Sequence, residues 1–182
     1  MNYPKNGYEL NLMSTLFKNI LGLPSIMLLS TCAATSTYAQ NYEQTISSIL
    51  SYINWKTAKP KICVVDNAAL YKNLANHLSA QKNKFEIQSI TSASISNQHC
   101  QTLVFSTLTP DKEQYLLNNA VNFPALSIST NNTQCEIGSA FCIYKKNQDV
   151  SFKVNLQSVI QSKVHIDPRV LLLAQKRDQL ND

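Results

Sequence analysis

Apolar and polar residues follow two different periods along the chain, and each change of period marks a predicted element. In residues 42–55 the apolar positions recur every three or four residues, which predicts an amphipathic helix that ends before Pro60. The residues of this stripe are Ile46, Ile49, Leu50 and Ile53. Residues 61–66 form a short β-branched run, which is typical of a buried strand.

A second helix and a second strand are predicted next. Asn67 is a suitable cap for a helix whose leucines recur every four residues along one face. These leucines are Leu70, Leu74 and Leu78. Residues 85–90 alternate apolar and polar side chains, as a strand with one covered face does, and the polar residues 92–98 indicate a loop or a short helix.

Two more strands enclose a further helix. Residues 101–106 and 124–129 have the pattern of buried strands. Between them, Thr109 offers a capping hydroxyl, Pro110 suits the first helical position, and Asp111 adds an acid to the first turn. These three residues predict a helix start.

The C-terminal part changes to a different pattern. Residues 131–138 are a polar loop, and residues 140–144 and 150–156 form a predicted hairpin. A short helix over residues 157–163 and a last helix from Asp167 follow. The whole order predicts an α/β fold with a mixed, mostly parallel sheet, helices on both faces, and a C-terminal hairpin and helix.

Residues 1–39 have the features of an export signal and take no part in the predicted fold. Lys18 supplies positive charge, residues 20–29 are a short apolar run, and small residues precede a cut before Gln40. The run is too short to span a bilayer, which takes about 20 apolar residues. Met13 is the preferred start and Met1 the alternative. We expect residues 40–182 to form one periplasmic domain.

Cys32 introduces an alternative for the N-terminus. The residues before it resemble a lipoprotein cleavage box, in which the cysteine becomes a lipidated N-terminus. Thr31 is a poor fit to the position before that cysteine, which normally takes Gly, Ala or Ser. We therefore favour a cysteine that is removed with the signal and keep a lipid anchor as the alternative.

Four cysteines remain in the mature domain, and an even set in an exported protein predicts disulfides. No pair has the C-x-x-C spacing of a zinc ribbon or a dithiol catalyst. Cys135 and Cys142 lie seven positions apart around Gly138, where a turn is favoured. Cys63 and Cys100 lie at the edges of predicted strands. This placement favours Cys63–Cys100 with Cys135–Cys142 over the two other pairings.

Composition argues against several function classes. The formal net charge of +5 comes from scattered residues. Because nucleic-acid binding needs a basic stripe interleaved with aromatic residues, we expect no nucleic-acid partner. Gly138 is the only glycine of the expected mature domain, which excludes a glycine-rich phosphate loop.

No residue pattern predicts catalysis, a metal or a cofactor. The chain lacks a Gly-x-Ser-x-Gly elbow, and its acids form no paired-carboxylate motif. The acids considered are Asp66, Glu86, Asp111, Glu113, Glu136 and Asp149. The histidines His77, His99 and His165 lack the spacing of metal ligands. We therefore expect a protein that is not an enzyme and that holds no metal or cofactor.

Two other function classes stay open at this point. A small-ligand binding module would have its crevice at the carboxyl ends of the strands, near Asp66, Ser106 and Ser129. For Asp66 alone, a helix-capping role is favoured. A thiol–disulfide oxidoreductase would need a reactive cysteine of low pKa.

The mature chain resembles the YfiR family of small periplasmic proteins. The first helix with its closing aromatic, several strands and the C-terminal segments carry the resemblance. The matching segments are residues 45–55, 62–66, 99–105 and 124–129, then Gly138, Phe152, Asn155 and Leu156, and finally residues 164–174. The chain departs from the family where Asp167 and Pro168 replace two serines, and where the segment 89–98 is polar rather than glycine-rich.

The resemblance implies regulation of a membrane enzyme. Family members bind the periplasmic sensor domain of an inner-membrane diguanylate cyclase and hold it inactive, which lowers cyclic-di-GMP and biofilm formation. A lipoprotein associated with the outer membrane draws the repressor away. The family also carries two disulfides at comparable positions, which supports the favoured pairing and implies sensitivity to redox conditions.

The contact surface is a separate hypothesis. We expect the partner to contact the first helix around Tyr52 and Trp55, and the last helix around Leu172 and Arg177. For Trp55 alone, packing at the rim of the core is the favoured role. A homodimer is left open.

Overall fold

The computed structural model describes residues 41–80, 84–146 and 149–179, with side chains described up to residue 174. The expected export signal, with Met13 and Cys32, lies outside the described residues. Within these ranges, no helix combines the length and the apolar character that crossing a bilayer requires.

One sheet of six strands organises the domain, in the order β2-β1-β3-β4-β5-β6. All neighbours are parallel except β5 and β6, which form an antiparallel hairpin. The strands are β1 Lys61–Val65, β2 Glu86–Ile90, β3 Thr102–Phe105, β4 Leu126–Ser129, β5 Phe141–Lys146 and β6 Asp149–Val154. The predicted mixed, mostly parallel α/β sheet is therefore confirmed.

The helices lie between and after the strands. They are α1 Tyr42–Leu50, α2 Ala68–Ser79, the 3-10 helix Ser92–Ser94, α3 Ile95–Gln98, α4 Pro110–Ala120, α5 Leu156–Ser162 and α6 Arg169–Gln179. The Asn67 side chain accepts the N–H of Leu70 at 2.9 Å and so caps α2 as predicted. Thr109 precedes α4 as its cap, with Pro110 at the first helical position.

Both faces of the sheet are covered by helices, and this explains why the residues of β1 are almost all apolar. Ile62 and Val64 belong to a core cluster with residues of α1, α2 and α6. Cys63 and Val65 belong to a second cluster with Ile95 of α3 and with residues of α4. Since side chains alternate across a strand, a parallel strand covered on both faces needs a continuous apolar run.

The first helix is shorter than its apolar period predicts. It ends at Leu50 rather than at residue 55. Beyond it, Ile53 forms an antiparallel bridge with Ile166, and the Tyr52 carbonyl accepts the N–H of Asp167 at 2.8 Å. Because these backbone groups pair with a distant segment, the helical hydrogen bonds cannot continue, and tertiary pairing overrides the local period.

Asp66 does not cap α2, the helix that follows it. Its carboxylate instead accepts the N–H of Ser92 at 3.2 Å, at the start of the 3-10 helix. Asp66 itself has a φ of 51°, in the left-handed region. The sharp turn after β1 leaves the capping of α2 to Asn67.

The two disulfides have the favoured pairing. Cys63 in β1 joins Cys100 just before β3, with 5.9 Å between the Cα atoms. Cys135 joins Cys142 at 5.6 Å and closes the loop that leads into β5. All four cysteines are buried. One bridge therefore joins neighbouring strands, and the other shapes a loop.

We expect Cys135→Ser to lower the melting temperature while the circular-dichroism spectrum stays that of a folded α/β protein. The chain-entropy relation gives about 2.5 kcal/mol for a bridge spanning 7 positions and about 4 kcal/mol for one spanning 37. Cys63→Ser should therefore cost more stability. Thermal unfolding with and without reductant measures both, and an unchanged melting temperature under oxidising conditions would show that no stabilising bridge forms.

Candidate functional site

A fully buried carboxylate lies beneath the connection between β4 and β5. Glu113, on the first turns of α4, is 0% exposed. The Ser129 hydroxyl donates to Oε1 at 2.6 Å, and Ser139 donates its N–H at 3.2 Å and its hydroxyl at 2.8 Å to Oε2. The acid thereby ties α4 to both ends of the segment 130–140, which we call the β4–β5 loop.

Burial and hydrogen bonding act in opposite directions on this acid. Burial raises the pKa of Glu113, and the hydrogen bonds from Ser129 and Ser139 offset only part of that rise. Gly138 allows the backbone to approach so closely. It has a φ of +88°, and a Cβ there would lie 2.9 Å from Glu113 Oε2.

Buried amides and a hydroxyl hold the rest of the β4–β5 loop. Asn132, only 1% exposed, accepts the Cys135 N–H at 3.0 Å and donates to the Ile137 carbonyl at 2.7 Å. Asn155 donates to the carbonyl of residue 136 at 3.1 Å, and Ser158 donates to that of residue 138 at 2.7 Å. The loop is therefore fastened to the start of α5.

Helix α5 buries two of its serines and exposes two of its aliphatic residues. Ser158 and Ser162 are buried, whereas Leu156 is 59% and Ile160 is 72% exposed. Ile137 of the β4–β5 loop is 42% exposed, and the hydrogen bonds of its two neighbours to Asn155 and Ser158 place it beside α5. We call the three exposed aliphatic residues Ile137, Leu156 and Ile160 the α5 patch.

The contact residues expected from the sequence lie elsewhere. Trp55 is half-buried against the core, with its Nε1 donating to the Leu50 carbonyl at 3.3 Å and its ring edge-on to Phe85. Tyr52 is also half-buried. Leu172 on α6 is 62% exposed.

Arg177 lies within α6, and its side chain falls outside the described part of the chain. Near the start of that helix, a hydrogen bond from the Arg169 side chain lowers the pKa of Asp167 to about 2. This exposed ion pair, close in sequence to the expected contact residues, keeps its charges at any pH of physiological interest.

The residues expected to form a ligand crevice do not converge on one. Asp66 is paired with the Ser92 N–H, the Ser106 hydroxyl accepts from Asn67, and Ser129 donates to the buried Glu113. Grooves of about 250 Å³ lie instead between α4 and α5, and beside Trp55. The strand ends thus offer less support for a small-ligand module than the sequence suggested.

The described residues offer little support for a metal site or for a reactive cysteine thiol. Among the described residues, no three His, Cys, Asp or Glu side chains cluster as a metal site would require. All four cysteines of the described residues are joined in buried disulfides, so none of them is a free low-pKa thiol.

Two features of the site were missed by sequence reasoning. Glu113 was counted among isolated acids, yet it shares the inward face of α4 with Leu116, three residues on. The spacing of three residues between Glu113 and an apolar residue of the same helix is the sequence feature that indicates its burial. The exposed Leu156 was expected only as a family match, because the segment 157–163 is too short for its period to distinguish an inward face from an outward one.

One family model matches most of the chain. A family model described as YfiR/HmsC-like (DUF4154) matches residues 40–175, which is most of the chain. The match covers the sheet, both disulfides, the β4–β5 loop, α5 and most of α6. The chain therefore belongs to the YfiR/HmsC-like family of periplasmic proteins that regulate diguanylate cyclases.

Proposed function

We propose that this protein represses a membrane-bound diguanylate cyclase by binding the periplasmic sensor domain of that enzyme. Repression would lower cyclic-di-GMP and with it biofilm formation. Family membership supports regulation of such a cyclase. The single observation that supports action through protein contact is the α5 patch, with its aliphatic side chains exposed and its serines buried.

The α5 patch suits a protein partner on energetic grounds. Burying a Leu or Ile side chain is worth about 1.5–3 kcal/mol, and an exposed cluster of them leaves this energy unused in the free protein. The neighbouring Gln157 and Gln161 supply a polar rim without charge. An apolar centre with a polar rim is the usual composition of a protein interface.

Repression places a further requirement on binding. The protein must bind the inactive state of the cyclase more tightly than the active state, since equal affinity for both shifts no equilibrium. Helix α5 is rigidly attached through Asn155 and Ser158, so it presents its aliphatic residues in one geometry. A rigid surface favours the one receptor conformation that fits it.

The residues expected from the sequence remain a second proposed surface. The first two of these residues, Tyr52 and Trp55, follow the end of α1, and the other two, Leu172 and Arg177, lie on α6. All four belong to a different part of the chain from the α5 patch. Two separate surfaces would let an outer-membrane-associated lipoprotein take hold of the repressor while it still contacts the cyclase. The alternative to partner binding is that one of these surfaces joins two copies of the protein in a homodimer.

Redox control is proposed to act through the Cys135–Cys142 bridge. This bridge closes the β4–β5 loop next to Ile137. Its reduction would release one restraint on the loop and leave only hydrogen bonds to hold it. Cys63–Cys100 lies between strands and would affect stability throughout the domain.

We expect deletion of the gene to raise cellular cyclic-di-GMP and biofilm mass, because the cyclase loses its repressor. Mass spectrometry of nucleotide extracts measures the change. Complementation with the wild-type gene should restore the original level. An unchanged level in a strain with an intact cyclase would refute repression.

We expect Leu156→Asp with Ile160→Asp to weaken binding to the sensor domain by about a hundredfold to ten-thousandfold, because two aliphatic side chains lose their burial. Asn73→Asp with Asn76→Asp adds the same charge at exposed positions of α2, outside both proposed surfaces, and is the matched control. Leu172→Asp tests the second surface. Calorimetric titration measures the affinity of each variant for the sensor domain. A loss of affinity confined to Leu172→Asp would assign cyclase binding to α6 instead.

A further inference from the structure

Glu113 is a buried acid for which the described residues contain no ion-pair partner. The strand β4 and the helix α5 contribute no titratable side chain, and the Cys135–Cys142 bridge does not titrate. The charged residues nearest in sequence on α4 are Asp111 and Lys112, and the β4–β5 loop contributes Glu136; all three are exposed. Only hydroxyl and amide donors therefore face the carboxyl group.

These donors can satisfy the hydrogen bonds of both the ionised and the protonated acid, but only the ionised form buries a charge. The ionised carboxylate accepts from Ser129 and twice from Ser139, but its charge stays buried. The protonated acid keeps the Ser139 N–H on Oε2, and the Ser139 hydroxyl turns to accept the new O–H. Ser129 already accepts two backbone N–H groups, so its hydroxyl has to donate to Oε1 in either state.

We propose that Glu113 is a proton-operated latch that holds the β4–β5 loop closed, and thereby holds Ile137 in the α5 patch. The part concerning Ile137 rests on the proposed function; the latch itself does not. In the closed loop Glu113 takes up one proton from water at low pH. In the open loop the carboxylate is hydrated and loses that proton.

The direction of the effect follows from the burial of the acid. Burial raises the pKa of Glu113 in the closed loop above its value in the open loop. Closure is therefore favoured fully at acid pH, and this contribution is lost as the pH rises through the pKa of the closed state. A periplasmic protein experiences such changes, because small ions of the medium reach that compartment.

The test is amide hydrogen exchange of the mature protein across pH, corrected for intrinsic exchange rates. The Cys135 amide donates to the Asn132 side chain, and the Ser139 amide donates to Glu113. Both amides therefore report opening of the loop. Their protection should fall by up to about tenfold for each pH unit between the pKa of Glu113 in the open loop and its higher pKa in the closed loop, and should level off above the latter. Protection that does not depend on pH would overturn the latch.

Two variants separate this acid from its neighbours. Glu113→Gln removes the titration and should make protection of the loop independent of pH. Glu136→Gln, at an exposed acid of the same loop, should behave as the wild type. Equal pH dependence in wild type and Glu113→Gln would overturn the assignment.

A direct titration covers the case in which Glu113→Gln does not fold. Carbon NMR of the wild-type Glu113 carboxyl should show a midpoint above the ordinary glutamate range, shared by the Ser139 amide. An ordinary midpoint would overturn the latch.

A separate binding experiment tests whether the protonation of Glu113 affects the α5 patch. The probe is the periplasmic domain of the cyclase that responds to deletion of the gene, titrated against wild type and Glu113→Gln at several pH values. Affinity should fall with rising pH for the wild type only. Protection that changes while affinity does not would overturn the link to Ile137. Absence of binding at every pH would count against the proposed function, and exchange alone would then decide on the latch.

Discussion

The hydrogen bonds between Glu113 and the two serines of the β4–β5 connection are the constraint on which the functional region depends. They join α4 to the end of β4 and to the start of β5, and Gly138 allows the backbone to approach the carboxylate closely at the β5 end. The sheet could form without them, since its two apolar faces are covered independently. The closed loop is held by these bonds together with those of Asn132, Asn155 and Ser158 and with the Cys135–Cys142 bridge.

The orientation of α5 is linked to the same loop. Asn155 and Ser158 bond carbonyl groups of the loop, so the side of the helix that carries Ser158 faces inward. Its aliphatic residues are then left on the outside. Satisfying buried backbone groups and exposing an apolar surface are thus two consequences of one arrangement, and the neighbouring disulfide reinforces it.

Features set by neighbouring residues could be predicted from the sequence, whereas features set by distant ones could not. The caps Asn67 and Thr109, the apolar strands and the mostly parallel order were all available from local patterns. The end of α1 depends on Ile166, far along the chain, and so the helical period extended too far. The burial of Glu113 likewise depends on donors that only the folded sheet brings to it.

The proposed contact between the α5 patch and the cyclase can be tested directly by photo-crosslinking in cells that express the full-length cyclase. A photo-crosslinking amino acid is placed at Ile160, and separately at Leu172. We expect a crosslinked product with the cyclase from position 160, and a product with another partner or none from position 172. A cyclase product from position 172 alone would show that the α5 patch does not make this contact.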